Sequence, residues 1–463
     1  MKRVVLNIED LFKIPTATIF NPDEIKPIRN VTIDSRRVKK GSLFIAIRGK
    51  NYDGHSFVRQ AVINGAGMAL INRNKLVEFD DIDVPLVTVK NTTKALGDIA
   101  KLWRRKLNTL VIAVTGSSGK TSTKDIMAVL LSEKYRVTKT ESNNNNNIGV
   151  PLTILAANET HDVLVAEVGT NHFGEVEYSA KILEPDNALI TNIGNSHLQY
   201  LKNKTGVLKE KKALYDAAIE NKGKIFINYD DPLLKNYSPM YTDRITYGFD
   251  KRADISGRIK NYRSDGRPNI NIKYKNRIID TDLPLYGEQS ANNYLAAVSV
   301  ALKLGLTKGQ IKNGTESLYV TGSRLKVNHK KNFILIDDTY NSNPDSARYA
   351  IELVGKIRTY NRKILVLGDM FELGKDKLKF HRSLSSVIKK NFIDEVYSIG
   401  LGMKVLNESL KNQKILIKHF RTRNSLEKFI RNFDPTNSVI LIKGSRGMKM
   451  EEFVSILSQR AAN

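Results

Sequence analysis

The chain has 463 residues, of which 41% are hydrophobic and 26% are charged, a composition typical of a folded protein of about three domains. It contains no cysteine, which excludes structural disulfides, thiolate metal sites and cysteine nucleophiles. The formal charge of +26 raises the possibility of a nucleic-acid or membrane-surface partner, but the basic residues are scattered, which favours solvated faces and small polyanionic substrates.

The first part of the chain, residues 1–108, has short β-rich runs such as residues 41–47 and a helical pattern near residues 57–64. It is expected to form a small α/β domain. The amino terminus does not have the pattern of a secretory signal, and the sequence has no run of about 18 apolar residues that could span a bilayer. We therefore expect a cytoplasmic protein, and we expect it to be a monomer.

A central domain is predicted over residues 109–320. The apolar run Leu110–Val114 predicts a buried parallel strand, which leads through a glycine-rich turn into a predicted helix over Lys124–Ser132. Strands recur at residues 163–167, 188–191 and 224–228, and a helix is predicted over residues 292–304. The alternation predicts a parallel sheet with helices on both faces.

A third domain is predicted over residues 321–463. Its predicted strands alternate with helices and end in a helix that begins at Glu451; the strands are residues 333–336, 363–367, 395–399 and 438–442. This pattern predicts a second doubly wound, Rossmann-like α/β domain. We expect a hinge at residues 320–323.

The strongest single motif is the segment Thr115-Gly-Ser-Ser-Gly-Lys-Thr-Ser, which lies between a predicted strand and a predicted helix. Backbone N–H groups in such a loop cradle phosphate, Lys120 can reach the terminal phosphates, and the Thr121 hydroxyl can bind Mg²⁺. Val114 stands where the general pattern has its first glycine. The residues predicted to hold ATP here are Thr115, Gly116, Ser117, Ser118, Gly119, Lys120, Thr121 and Ser122.

Further motifs lie before and after the phosphate loop. They are Asp34-Ser-Arg-Arg, Asn145-Asn-Asn-Ile-Gly-Val-Pro-Leu-Thr, Ile190-Thr-Asn-Ile-Gly-Asn-Ser-His, Lys211-Lys-Ala-Leu-Tyr and Asp337-Asp-Thr-Tyr-Asn-Ser-Asn-Pro-Asp-Ser. With the phosphate loop, these segments resemble the Mur ligase family. The last of them is most similar to the member that adds D-alanyl-D-alanine to UDP-N-acetylmuramoyl-tripeptide.

The resemblance implies an α/β protein of three domains: an N-terminal uridine-nucleotide domain, a central P-loop ATPase-like domain with a parallel sheet, and a C-terminal Rossmann-like domain that binds the dipeptide and closes on ATP. It also implies an ATP-dependent ligase of peptidoglycan precursor synthesis that works through an acyl phosphate. No nucleic acid and no membrane insertion are expected.

The resemblance further implies which residues carry the reaction. Lys120, Glu167, His197 and Lys211 are the expected catalytic residues, and Thr121, Glu167, His197 and Lys211 are the expected ligands of Mg²⁺. Lys211 is expected to be carbamylated by CO₂, with Lys209 as the rival position. An uncharged amine can accept CO₂, and the product is an anion that sits beside Mg²⁺ where an ammonium group would be repelled.

The remaining expected contacts, also implied by the resemblance, are to the nucleotide and the substrates. The nucleotide contacts are Asn293, Arg324, Asp338 and Asn341, and the substrate contacts are Ser35, Arg36, Asn146, Asn147, Tyr340 and Asn343. Gln289 and Ser290 stand where histidine and asparagine are commoner in the adenine segment, and the segment Gly169-Thr-Asn-His departs from the family and leaves the role of His172 open.

Two other functions remain open at this point. One is a sibling enzyme, either another Mur ligase or a folylpolyglutamate synthetase. The other is a P-loop ATPase that depends on nucleic acid, which the positive charge motivates. The sequence does not distinguish lysine from diaminopimelate in the peptide substrate.

Overall fold

The computed structural model describes residues 5–49, 51–320, 322–411 and 414–460. These residues form three sheets in succession along the chain, of five, nine and six strands. The predicted hinge at residues 320–323 includes residue 321, which lies outside the described residues. The domain boundaries 1–108, 109–320 and 321–463 stay a prediction.

The first sheet has the strand order β1-β5-β4-β3-β2, in which only β1 is antiparallel to its neighbour. Its elements are β1 (Thr18–Phe20), β2 (Val31–Thr32), β3 (Ser42–Ile45), β4 (Ala66–Asn72), β5 (Leu86–Val89), α1 (Ile8–Leu11), α2 (Val58–Ile63) and α3 (Thr92–Lys106).

Helix α3, which was not predicted, joins the first sheet to the second. Its apolar side chains belong to one continuous core with residues of both sheets. The Trp103 indole N–H donates to the Ala157 carbonyl, and the Arg104 guanidinium donates to Leu183 O and Asp186. The helix is therefore fixed to the central part of the molecule by hydrogen bonds as well as by apolar packing.

The second sheet has the order β14-β13-β12-β11-β10-β9-β6-β8-β7. Its strands are β6 (Leu110–Thr115), β7 (Val137–Lys139), β8 (Val163–Glu167), β9 (Asn187–Ile190), β10 (Lys224–Asn228), β11 (Arg244–Gly248), β12 (Ile255–Tyr262), β13 (Pro268–Tyr274) and β14 (Arg277–Asp282). Its helices are α4 (Lys120–Ser132), α5 (Gly149–Ala156), α6 (Glu175–Leu183), α7 (Leu198–Leu201), α8 (Lys204–Glu220), α9 (Pro232–Tyr237), α10 (Gly287–Lys303) and α11 (Lys308–Glu316).

Strands β6 to β12 of this sheet pair in parallel, as predicted, and separate apolar cores cover its two faces. The antiparallel strands β13 and β14 were not predicted. Because β9, β6 and β8 are neighbours and parallel, the segments that follow them meet at one edge of the sheet.

The third sheet has the order β15-β16-β20-β17-β18-β19, and only β15 is antiparallel. Its elements are β15 (Lys326–His329), β16 (Phe333–Asp338), β17 (Arg362–Gly368), β18 (Glu395–Ile399), β19 (Leu416–Phe420), β20 (Ser438–Lys443), α12 (Pro344–Lys356), α13 (Lys377–Lys390), α14 (Leu401–Glu408), α15 (Arg423–Asn432) and α16 (Glu451–Arg460). Alternate strand residues enter two different cores, which confirms a doubly wound domain.

The third sheet faces the edge at which the central strands end. The Asn195 backbone N–H donates to Asp345 Oδ2 over 2.9 Å, and Lys356 Nζ donates to Glu288 Oε2 over 3.0 Å. These contacts hold the C-terminal part closed over the central part. Within the described residues, no helix is both long enough and apolar enough to cross a membrane.

Candidate active site between the central and third sheets

The phosphate loop connects β6 to α4 in a conformation that needs its two glycines. Gly119 has φ +81°, and a Cβ atom there would collide with Asn293. Gly116 has φ +151°, and a Cβ atom there would collide with Thr191. Helix α4 begins at Lys120, one turn earlier than predicted, so the N-terminal end of the helix lies directly at the loop.

Lys120 folds back over this loop, and its Nζ donates to the Gly116 carbonyl over 2.8 Å. Burial lowers the pKa of Lys120, and the Arg324 charge lowers it further, whereas the Glu167 carboxylate acts in the opposite direction. An anionic ligand in the loop would therefore stabilise the charged form of Lys120.

Glu167 closes strand β8 and is only 1% exposed. The Asn145 side-chain amide donates to its Oε1 over 2.7 Å. The other oxygen, Oε2, is buried and has no hydrogen-bond partner within the part of the chain that the structure describes. A buried carboxylate oxygen without a partner is costly, which makes Glu167 Oε2 the best-supported place for a cation.

The asparagine run is an ordered loop rather than a linker. The Gly169 N–H donates to Asn145 O over 2.7 Å, and Asn146 Oδ1 accepts from the N–H groups of Ile148 and Gly149. Asn146 and Asn147 both line the cavity described below, so the loop presents them at the edge of the phosphate site.

His197 lies at the N-terminal end of α7, with φ 52°. Its Nδ1 lies 2.6 Å from Oε2 of Glu372, which belongs to the third domain. This carboxylate is the close polar neighbour of Nδ1, which is buried and has no other hydrogen-bond partner in the described ranges. The His197 ring lowers the pKa of Glu372.

Lys211 lies in α8, and its side chain is 1% exposed, whereas Lys209 is exposed. Burial holds the pKa of Lys211 well below its usual value, and the nearby charge of Lys120 lowers it further. Burial therefore favours the uncharged amine, which is the form that reacts with CO₂. This favours Lys211 over Lys209 as the site of a carbamate.

The third domain contributes a cluster of charged groups. Asp338 accepts from the Leu325 N–H over 3.1 Å and from Lys443 Nζ over 2.5 Å. Lys443 also donates to Asn341 O over 3.0 Å. The Arg324 guanidinium stacks 3.6 Å above the ring of Tyr340, which presents its charge to the cavity next to Lys120.

A cavity of about 480 Å³ lies between the two sets of residues. It brings together most of the predicted site residues, which are Ser117, Ser118, Gly119, Lys120, Thr121, Ser122, Asn146, Asn147, Glu167, His197, Asn293, Arg324, Asp338, Tyr340, Asn341 and Asn343. Asn343 also bridges the domains directly, since its side-chain amide donates to Ser117 O over 3.4 Å.

Some predicted residues lie outside this lining. Thr115 is buried, and its hydroxyl donates to Val168 O. Gly116 and Lys211 do not line the cavity either. Ser35 and Arg36 belong to the first domain. Ser35 is buried, and Arg36 is exposed and forms a double hydrogen bond with Asp34.

A second cavity, of about 420 Å³, adjoins the first and shares Ser118, Gln289 and Asn293 with it. Gln289 Nε2 donates to Asn293 Oδ1 over 3.0 Å, whereas its Oε1 is buried without a hydrogen-bond partner within the described chain. Ser290 lines the first cavity only. The two cavities therefore lie side by side next to the phosphate loop.

His172 does not line either cavity. It pairs with Glu175 at 3.3 Å, and its ring lies 4.3 Å from that of Tyr200. Sequence reasoning assigned no role to several residues that do line the first cavity: Asn145, Glu175, Asn195, Glu372 and Lys443. Asn145 and Asn195 lie within segments that carry the family resemblance, so their place in the site, but not their partners, could have been predicted.

Among the described residues, no three histidine or carboxylate side chains are grouped so that they could hold a metal ion by themselves. A Mg²⁺ ion keeps several waters and uses one or two carboxylates with substrate phosphates. Glu167 Oε2 and the Thr121 hydroxyl at the phosphate loop fit such a shared site.

Comparisons with known proteins agree with this architecture. Residues 27–104 match the Mur ligase family, catalytic domain; residues 114–301 match the Mur ligase middle domain; and residues 323–446 match the Mur ligase, glutamate ligase domain. The chain belongs to the Mur ligase family.

Two relatives carry the name UDP-N-acetylmuramoyl-tripeptide–D-alanyl-D-alanine ligase. The protein of Bacillus subtilis is 35% identical over 99% of this chain and 98% of its own length. That of Escherichia coli is 32% identical over 93% of each chain.

Among solved structures, MurF from Acinetobacter baumannii superposes with a TM-score of 0.87 and 28% identity, covering 98% of this chain and 99% of the other. MurF from Thermotoga maritima in complex with ADP has a TM-score of 0.82 and 27% identity over 94% and 98% of the two chains.

Proposed function

We propose that this chain is the ATP-dependent ligase that joins D-alanyl-D-alanine to UDP-N-acetylmuramoyl-tripeptide in the synthesis of peptidoglycan precursors. One observation carries the proposal: a phosphate loop, a buried carboxylate oxygen and cationic groups of another domain line one cavity. The full-length similarity to ligases of that name in Bacillus subtilis and Escherichia coli supports the same substrates. The enzyme works in the cytoplasm, as a monomer.

In the first step, an oxygen of the tripeptide carboxylate forms a bond to the γ-phosphorus of ATP, the bond from that phosphorus to the bridging oxygen breaks, and ADP leaves. Both reactants are anions, so their approach requires positive charge. Lys120 of the central domain and Arg324 of the third domain, which both line the cavity, supply it. The backbone of residues 117–119 orients the phosphates.

Mg²⁺ would be held by Thr121 and Glu167, and a second ion by His197 and carbamylated Lys211. When bound, these ions neutralise phosphate charge and stabilise the charge that develops during transfer. The Asn145 amide orients Glu167 by donating to its Oε1. This bond leaves Oε2 without a hydrogen-bond partner among the described residues. Burial lowers the pKa of Lys211 and so favours the uncharged amine that reacts with CO₂.

In the second step, the amine of D-alanyl-D-alanine attacks the carbonyl carbon of the acyl phosphate, a tetrahedral intermediate forms, and inorganic phosphate leaves. Water would hydrolyse the acyl phosphate, so the site must be closed during this step. Two contacts between the domains close the site and keep water out. The Asn343 amide donates to Ser117 O, and the Asn195 N–H donates to Asp345.

The three domains divide the substrates among them. Residues 1–108, with Ser35 and Arg36, bind the uridine nucleotide, and residues 109–320 bind ATP. Residues 321–463 contribute Arg324, Asp338 and Asn341 to the nucleotide and Tyr340 and Asn343 to the dipeptide. Gln289, Ser290 and Asn293 line the first cavity, and the second cavity beside it takes the adenosine part of ATP.

The deciding experiment measures phosphate release from ATP with UDP-N-acetylmuramoyl-tripeptide, with and without D-alanyl-D-alanine, together with the product mass. Tripeptides that contain lysine and diaminopimelate are both supplied. Release that requires both substrates, with a pentapeptide product, is the expected result. Turnover with glutamate, lysine or diaminopimelate as the acceptor would indicate a sibling ligase, and stimulation by DNA or RNA would indicate a nucleic-acid-dependent ATPase.

A further inference from the structure

The loop over residues 369–376 of the third domain contacts the segment of the central domain that carries His197. Besides the contact between Glu372 Oε2 and His197 Nδ1, the Gln199 N–H donates to the Glu372 carbonyl over 3.1 Å. Gly374 lies against the backbone of Leu198. Side chain and backbone of Glu372 thus both face the same short segment.

Both members of this contact have unusual backbone conformations. His197 has φ 52° and Glu372 has φ 61°, in the left-handed region that non-glycine residues adopt at a cost. Such strain persists only where the surrounding structure imposes it. Two strained residues that meet across a domain interface therefore indicate a functional contact.

The third domain holds its side of the contact rigidly. Asp369 accepts from the N–H groups of Gly402 and Met403 at the start of α14. The Met370 N–H donates to Nε2 of the buried His381 over 2.9 Å, and the Phe371 N–H donates to Ser445 Oγ over 2.8 Å. The backbone immediately before Glu372 is thus fixed, so its position relative to His197 follows the position of the whole domain.

We propose that Glu372 is a positioning residue that orients the His197 ring from across the domain interface, so that His197 becomes a competent metal ligand only when the third domain closes. The proposal rests on the proposed function of His197 as a ligand of the second Mg²⁺. A carboxylate beside one ring nitrogen fixes the tautomer and the orientation of a histidine, and it leaves the other nitrogen for a metal. Here Nδ1 faces Glu372, which leaves Nε2 for the ion.

This arrangement links metal binding to closure. In an open molecule the third domain carries Glu372 away, and the His197 ring loses its carboxylate. The second ion is then held well only after the domain has closed over ATP and the peptide. Phosphoryl transfer to water, which an open site would permit, is disfavoured as a result.

The test compares Glu372→Ala and Glu372→Gln with Lys375→Met, which changes an exposed residue of the same loop. Binding of Mn²⁺ is measured by electron paramagnetic resonance with a non-hydrolysable ATP analogue, and kcat and KM are measured separately. We expect Glu372→Ala to weaken Mn²⁺ affinity and to lower kcat, each by roughly 10- to 100-fold. Lys375→Met should leave Mn²⁺ affinity unchanged.

A double variant sharpens the test. Glu372→Ala should cost no further Mn²⁺ affinity in a His197→Ala background, because Glu372 acts only through His197. Wild-type Mn²⁺ affinity in Glu372→Ala, or additive losses in the double variant, would overturn the proposal. Since Glu372 is 42% exposed, the isosteric Glu372→Gln should fold, and its thermal melting is the check.

A separate assay of the wild-type enzyme tests the proposed function. Wild-type enzyme is first assayed for pentapeptide formation from the tripeptide and D-alanyl-D-alanine. No product would refute the function. An active wild-type enzyme with unaffected Glu372 variants would refute only the positioning role.

Discussion

The side-chain amide of Asn145 donates a 2.7 Å hydrogen bond to Oε1 of Glu167. Asn145 belongs to a polar loop and Glu167 to the buried end of a strand, so this bond connects the substrate loop to the phosphate site. It occupies one carboxylate oxygen and leaves Oε2 free of hydrogen bonds to described residues.

Asn145→Ala should therefore lower ligase activity and raise the Mg²⁺ concentration needed for half-maximal rate. Hydrogen bonds to charged groups contribute about 1.5–3 kcal/mol, so we expect a loss of roughly 10- to 100-fold. Asn143→Ala is the matched control, because Asn143 is an exposed member of the same run that does not line the cavity. Equal activities of the two variants would contradict an orienting role for Asn145.

Lys120→Met should lower kcat by roughly 100- to 1000-fold, the range for removing one group that stabilises transition-state charge. The reason is that Lys120 is the cation folded over the phosphate loop. Lys134→Met, an exposed position just beyond the end of the same helix, should retain wild-type kinetics. The measurement is steady-state phosphate release at saturating ATP, and a Lys120→Met enzyme with more than a tenth of wild-type kcat would refute the assignment.

Lys211→Met should abolish activity yet stabilise the protein. Burial holds the folded-state pKa of Lys211 well below 10.5, so the folded chain releases this proton at a lower pH than the unfolded chain does. The difference destabilises the wild-type protein below the unfolded pKa and disappears as pH rises to that value. In CO₂-free buffer, the Tm of Lys211→Met should exceed that of wild type, and the gap should shrink toward pH 10.5.

The same position allows a direct test of the carbamate. Nuclear magnetic resonance with isotopically labelled bicarbonate should show a carbamate signal in wild type and in Lys209→Ala, and none in Lys211→Met. A signal lost in Lys209→Ala would transfer the modification to the exposed lysine.

Lys443→Met should destabilise the third domain by about 3–5 kcal/mol, because it leaves a buried carboxylate without its cation. Lys443 is 1% exposed and Asp338 8% exposed. The double variant Asp338→Asn, Lys443→Met removes both charges and should recover most of the loss. Urea unfolding followed by fluorescence and circular dichroism measures both, and a single variant as stable as the double one would argue against the pair.

Small-angle scattering should detect closure. Without ligands, the molecule in solution should be more extended than the closed structure, and an ATP analogue with UDP-tripeptide should reduce the radius of gyration. The expected pivot is the segment 320–323. Identical scattering curves with and without both ligands would count against a moving third domain.

Much of this architecture was predictable because parallel strands buried on both faces are continuous apolar runs in the sequence. The predicted strands at residues 163–167, 224–228 and 395–399 agree with the observed strands at both ends. Strands β13 and β14 were missed because one face of this hairpin is solvated. Its residues alternate between apolar side chains, such as Ile270 and Ile272, and polar ones.

The site was predictable where chemistry is local and unpredictable where it depends on closure. The phosphate loop follows strand β6, and Glu167 is the last residue of strand β8. The sequence predicts where both strands end. The contact of His197 with Glu372 joins two domains, and no local pattern indicates which surfaces meet. The burial that distinguishes Lys211 from Lys209 follows from the face of α8 that packs inward, which the closely spaced lysines at 209, 211 and 212 do not reveal.

Helix α3 gives the molecule an uneven construction. Because its side chains share one core with the first two sheets, and Lys106 also reaches Asp10 at 2.6 Å, those sheets should travel as a single body. The part of the substrate that carries uridine would then bind to a body that stays fixed, and only the third domain would move during closure. An inhibitor placed between Asn195 and Asp345, which line the two adjoining cavities, should both hinder closure and compete with ATP.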